Sequence, residues 1–226
     1  MTRDLLCDSG VLISLTAGCL DNILYYFAEN FDMRFVIPPS VEDETVTRPM
    51  YNNLRKHLFS AVRIKDAIDD GVIVVVDAKV EDDARRIMNA ANNLFYIKGK
   101  PMRLIQFGES EMLALALELG IENILVDERT ARMLIEAPLR LKKHLETEFQ
   151  VNVMVNRGSF RDLSSRISTL NVLRSSELVI LAYEQGYFKS FTNLQKEALE
   201  AALYKMKYSG CSISFDEIHA YVSGAK

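Results

Sequence analysis

Apolar positions fall into two alternating patterns, short unbroken runs and longer stretches at helical spacing. Leu5-Leu6-Cys7 reads as a first strand ending on Asp8, and Leu12, Leu15, Leu20, Ile23, Leu24 and Phe27 predict a helix from Val11 to about Phe27. Arg34-Phe35-Val36-Ile37 is a second strand, stopped by Pro38-Pro39, which cannot donate to a ladder. Pro39 or Ser40 opens a helix carrying Val41-Glu42-Asp43-Glu44. A helical pattern over 50–70 (Leu54, Leu58, Val62, Ile64, Ile68) ends at Asp69-Asp70-Gly71. The β-branched run 72–76 that follows is the pattern of a strand buried on both faces.

A long helix is predicted from Glu81 to Tyr96, broken at Gly99-Lys100-Pro101. Gly108-Glu109-Ser110-Glu111 then opens a very apolar helix that stops at Gly120, and Ile124-Leu125-Val126 makes a fourth strand ending on Asp127-Glu128. Arg129 to Glu136 and Pro138 to His144 read as helices, and Val151 to Val155 as a fifth strand. Strands alternating with helices imply βαβ units, whose crossovers cover both faces of a parallel sheet. The expected fold is therefore α/β, a three-layer α/β/α domain of about five parallel strands over residues 1–156. Beyond Asn156 no strand is predicted. Helices around Ser175 to Tyr183, from Thr192 with Gln195 completing a capping box, and from Ser214 with Glu217 doing the same make 157–226 a C-terminal helical extension. It is too short for a large core of its own and is expected to pack on the α/β domain or on a second subunit.

Composition narrows the class. The 226 residues, 49% hydrophobic and 26% charged, are those of a globular protein with room for one sizeable core. No apolar run reaches the roughly 18 residues a membrane span needs, and Asp4 and Asp8 interrupt the only candidate signal-peptide core. Cys7, Cys19 and Cys211 are odd in number and lack metal-ligand spacing, so reduced thiols and a cytoplasmic location are expected. A net charge of -4 excludes a broad nucleic-acid-coating surface, though not a local basic rim around an acidic centre.

The acids supply such a centre. In a parallel sheet, strand ends and the helix starts that follow them share one rim. Asp8 and Asp127 are strand-end acids, and Glu44 and Glu111 lie near first helical turns. Neighbouring carboxylates raise one another's pKa, and a divalent cation with oxygen ligands resolves the repulsion. Each acid also has a plainer use. A Glu near a helix start gains about 0.3 to 1 kcal/mol from the macrodipole, and Asp127 could N-cap the helix from Arg129. Asp8 resists that reading most, since an acid buried between Cys7 and Val11 costs roughly several kcal/mol unless paired. Glu109 and Glu111 point about 200° apart on a helix, so one of them faces the site, and spacing does not choose between them. Ser9, Glu109 and Glu128 adjoin the four as secondary candidates.

The combination of Asp8-Ser9-Gly10-Val11-Leu12-Ile13, of Val36-Ile37-Pro38-Pro39-Ser40-Val41 with Glu44, of Gly108-Glu109-Ser110-Glu111 with Leu115-Ala116, and of Ile124-Leu125-Val126-Asp127-Glu128 with Ala131-Arg132 resembles the PIN-domain family of metal-dependent ribonucleases. The resemblance spans roughly residues 4 to 155. The tail, with Leu170-Asn171-Val172-Leu173 and Ala182-Tyr183-Glu184-Gln185-Gly186, resembles the C-terminal helices of some prokaryotic members. It implies that Asp8, Glu44, Glu111 and Asp127 hold Mg²⁺ or Mn²⁺, which activates a water for attack on an RNA phosphodiester. Two departures stand out. The family often has Thr or Ser two residues before the last acid, where this chain has Leu125, and the stretch from Glu44 to Glu111 is longer than in compact members. Candidate contacts to single-stranded RNA are Lys98, Lys100, Arg103, Arg129 and Arg132. A protein partner such as an antitoxin, and self-association, are further expectations. The competing expectation is a PIN-like fold that binds metal without significant turnover and works as a scaffold for protein or RNA.

Overall fold

The structure is a computed structural model and describes residues 3–51 and 55–224; Leu54, one of the positions behind the helix expected over 50–70, lies outside them. Its strands are β1 (Arg3–Cys7), β2 (Met33–Ile37), β3 (Ile73–Val75), β4 (Phe95–Ile97), β5 (Lys100–Pro101), β6 (Asn123–Leu125), β7 (Met154–Val155) and β8 (Asn171–Leu173). Five of them form an all-parallel sheet in the order β3-β2-β1-β6-β8. Leu6 pairs with Val36 and Ile37 with Val75. Consecutive residues Leu5-Leu6-Cys7 and Phe35-Val36-Ile37 are all buried, so both faces of the sheet are covered. That explains unbroken apolar runs where a half-exposed strand would alternate.

By compactness the chain divides into two units, Met1–Val76 with Leu125–Glu128 and Leu173–Lys226, and Asp77–Ile124 with Arg129–Val172. Neither has a boundary at residue 156. In the first unit, Leu12, Leu15, Ile23, Phe27 and Phe35 share one core with Val179, Leu199, Leu203, Met206 and Ile218. The helices from Ser175 onward are thus part of that core, while the helix Arg157–Ile167 belongs to the second unit.

Several elements differ from the sequence pattern. The first helix is two, Ser9–Ala17 and Asn22–Phe31, because the chain turns at Gly18-Cys19-Leu20-Asp21 with Cys19 at φ +57°. A side chain at Gly18 would place Cβ 2.6 Å from Met206 Cε, so glycine allows the turn to sit against the Met206 helix. In the second unit, the helix from Glu81 ends at Asn92, and Phe95 and Tyr96, expected as its last turn, belong to β4. A two-residue turn at Lys98-Gly99, both with positive φ, returns the chain as β5, as a primed hairpin turn requires. The expected fifth parallel strand, 151–155, is only the two-residue β7, and it pairs antiparallel with β4. The fifth strand of the main sheet is β8, beyond Asn156, where none was predicted. Residues 187–194 form short 3-10 turns interrupted at Thr192, whose φ is +51°, and Gln195 Nε2 donates to the Thr192 carbonyl at 2.7 Å, so Thr192 starts no capping box. The Ser214–Glu217 box does form: Ser214 N–H donates to Glu217 Oε2 at 2.7 Å, and Glu217 N–H to Ser214 Oγ at 3.1 Å. Among the described residues no single helix is long and apolar enough to cross a membrane.

Candidate functional site

The C-terminal ends of β1 and β6 set the first unit's part of the site. Asp8 N–H donates to the Leu125 carbonyl at 3.0 Å, which in a parallel ladder levels Asp8 with Val126, one residue before Asp127. Asp8 is buried and N-caps the Ser9–Ala17 helix, its Oδ2 accepting Gly10 N–H at 3.3 Å. A Cβ on Gly10 would lie 3.2 Å from that same oxygen, so glycine keeps the carboxylate unobstructed from below. Ser9, the first residue of the helix, is half-buried.

Asp127 is only 3% exposed and is held from one residue. Its Oδ1 accepts Ser175 N–H at 2.8 Å and its Oδ2 accepts the Ser175 hydroxyl at 2.8 Å. Asp127 therefore stabilises the start of the Ser175–Glu184 helix, where sequence suggested the helix from Arg129. Hydrogen bonds to a buried carboxylate offset much of its desolvation, and each oxygen keeps a further lone pair. Sequence reasoning missed Ser175. Its signal was the Ser175-Ser176 pair at a helix start with Glu177 behind it; the hydroxyl that Leu125 lacks reaches Asp127 from there.

The thiols beside these acids are inert. Burial, reinforced by the charge of Asp8, pushes Cys7 well above the ordinary thiol range. Burial and then the charge of Asp127 push Cys211 up, partly opposed by hydrogen bonding with Ser175 and Ser176. Neither supplies a thiolate near neutral pH.

Glu44 lies in the same unit, on a single π-helical turn, Asp43–Thr47, with its side chain exposed. Thr45 and Val46 of that turn are buried, which fixes Glu44 on the outer side. Its neighbour Asp43 pairs with Arg48 at 2.7 Å, whereas Glu44 meets no cation among the described residues. Glu128 is exposed.

In the second unit the structure separates the two glutamates that spacing left open. Glu109 Oε2 accepts Gln106 N–H at 2.6 Å and caps the Phe107–Leu119 helix. Glu111, one turn after Phe107, lines a cleft of about 730 Å³ with Asp77, Lys79, Arg103 and Phe107. Asp77 was not singled out from sequence, although the run 72–76 ends on it as the runs before Asp8 and Asp127 end on theirs. Of the expected RNA contacts, Arg103 is in this cleft, Lys98 and Lys100 are exposed on the β4–β5 hairpin, and Arg129 is exposed. Arg132 is half-buried, pairs with Glu136 at 3.4 Å and leaves its Nε without a hydrogen-bond partner. Asn92 pins the loop after the hairpin, its Oδ1 accepting Leu104 and Ile105 N–H at 2.7 and 3.0 Å.

Asp8, Glu44 and Asp127 thus belong to one unit and Glu111 to the other. Their oxygen donors suit a hard divalent cation by chemistry. Among the described residues, however, no three His, Cys, Asp or Glu side chains are gathered closely enough to hold a metal ion. Searches of family models, of curated proteins and of solved structures find no match to this chain.

Proposed function

We propose that this protein is a divalent-metal-dependent endoribonuclease with a PIN-like α/β/α fold, acting in the cytoplasm on single-stranded RNA. The observation that carries the reading is the placement of two buried acids, Asp8 and Asp127, at the C-terminal ends of adjacent parallel strands, where open α/β sheets bind their ligands. Asp8 and Asp127 would hold Mg²⁺ or Mn²⁺, with Glu44 and Glu111 completing the set. When bound, the ion supplies a Lewis acid for the phosphate and lowers the pKa of a water. The chain's own contribution is orientation. Ser175 holds Asp127 in one rotamer, the Gly10 N–H does the same for Asp8, and Lys98, Lys100, Arg103, Arg129 and Arg132 attract the RNA backbone. Docking of a protein partner such as an antitoxin, or self-association, belongs to the same reading.

The test is Mn²⁺-dependent cleavage of single-stranded RNA by the wild type and by Asp8→Asn. Asparagine still N-caps a helix, so this change removes the charge and keeps the local structure. Loss of cleavage in the variant supports the proposal, and cleavage at the wild-type rate sinks it. A second reading, a metal-binding scaffold without significant turnover, rests on the same buried Asp8 and Asp127, because ligation needs those residues whether or not turnover follows. It predicts that Mn²⁺ stabilises the wild type while RNA stays intact.

A further inference from the structure

The cleft beside Glu111 contains groups that the proposed metal chemistry does not use. Phe107 and Glu111 are four residues apart on one helix, so they share a face about one turn apart, about 6 Å along the axis. The Phe107 ring is half-buried, and the Arg85 guanidinium carbon lies 5.6 Å from its centroid. Arg85 is held there by Glu81, Nη2 to Oε1 2.6 Å. Lys79 and Arg103 reach the cleft from two different loops, are exposed, and form no ion pair among the described residues. At about 730 Å³ the cleft is within the size range of small-ligand sites, about 300–1,000 Å³.

We propose that this cleft receives single-stranded RNA, with Phe107 as the platform on which one base stacks and Lys79 and Arg103 as the holders of flanking phosphates. The substrate class rests on the ribonuclease reading; the stacking role rests on the ring, its guanidinium neighbour and the two unpaired cations. A base can stack on Phe107 only if it is splayed out of a helix, so the same contact discriminates against duplex. The base on Phe107 then sits about one helical turn from Glu111 on the same face of that helix. Four carboxylates (Asp77, Glu81, Asp82, Glu111) outnumber the three cations, so affinity is modest without metal and rises with Mg²⁺.

The experiment is fluorescence anisotropy of the full chain with a labelled single-stranded oligoribonucleotide and with its duplex, in EDTA at low salt, where turnover is absent. The wild type should prefer the single strand by about tenfold or more. Phe107→Ala should weaken single-strand binding by about 5- to 100-fold and leave duplex binding unchanged, while Phe107→Tyr retains both. Arg103→Glu and Lys79→Glu should each weaken binding and flatten its salt dependence by about 0.7 in the log–log slope per lost phosphate contact. Equal binding by Phe107→Ala and wild type, no single-strand preference, or no RNA binding at all overturns the proposal. RNA binding that depends on Phe107 in a chain that never cleaves RNA would sustain the cleft and refute the nuclease. Cleavage by a chain whose binding ignores Phe107 would do the reverse.

Discussion

Ser175→Ala tests the most specific contact at the candidate site. The hydroxyl donates at 2.8 Å to Asp127 Oδ2, and both residues are almost wholly buried, so no bulk water can replace the lost donor. A hydrogen bond to a charged group contributes about 1.5–3 kcal/mol, and the Ser175 N–H to Oδ1 survives the change. The variant should therefore lose about 1.5–3 kcal/mol in urea unfolding with an unchanged m-value, or about 3–12 °C in melting temperature. Ser175→Thr keeps the hydroxyl and should recover most of the loss. Combining Ser175→Ala with Asp127→Asn should cost less than the two single losses added together, because both remove the same contact. In the cleavage assay Ser175→Ala should lower activity by letting Asp127 change rotamer, with Ser175→Thr again recovering it. A stability loss under 0.5 kcal/mol, or additive single losses, would refute the reasoning that Ser175 holds Asp127.

Leu203→Ala should cost about 2–5 kcal/mol, since Leu203 is fully buried in the core shared by the N-terminal and C-terminal segments of the first unit; a shift below 1 kcal/mol would show that 173–226 packs there only loosely. Glu109→Ala should cost about 0.5–2 kcal/mol as a lost cap and leave RNA cleavage intact, whereas Glu111→Gln should abolish cleavage at little cost in stability; the reverse outcome would exchange their roles. Burial works against the Glu217 carboxylate, but hydrogen bonds with Ser214 and the Arg174 guanidinium at 2.9 Å outweigh it and hold its pKa below the ordinary range. Its folded pKa being depressed, its contribution is complete above the unfolded value, about 4.3, and disappears as pH falls through the folded one. The stability gap between wild type and Glu217→Gln should thus be flat near neutrality and close only below about pH 4.3; a gap that opens on acidification would contradict the sign.

Legibility followed burial. β1, β2 and β6 were readable because each is an apolar run buried at its C-terminal end, and β3 because its run is β-branched, although Val74 and Val75 at this sheet edge are half-buried where burial on both faces was expected; the helix stops at Gly71 and Gly120 were readable because both glycines take positive φ. β8 was not, since Asn171 is exposed, Val172 and Leu173 are half-buried, and three residues give no period. The β4–β5 hairpin is hidden in the sequence because Phe95 and Tyr96 continue the apolar spacing of the preceding helix, while Lys98-Gly99 marks a break without showing that the chain returns as a strand. The Asp8 and Asp127 strand ends could be located from sequence, but their hydrogen-bond partners could not. Ser175 lies 48 residues from Asp127 and reaches it only because β6 and β8 are neighbours. Glu109 and Glu111 could be separated only once the backbone N–H of Gln106 was seen to claim one of them.

Thermal unfolding of the wild type and of Asp8→Asn across a Mn²⁺ titration tests the central claim most directly, because it needs no knowledge of the RNA substrate. A site that binds Mn²⁺ only when folded gains about 2.7 kcal/mol at one hundred times its dissociation constant, which for a chain of this size raises the melting temperature by about 5–11 °C. The account predicts that rise in the wild type and its loss in Asp8→Asn. An equal rise in both proteins, or none in the wild type at millimolar Mn²⁺, would contradict a metal site built on Asp8.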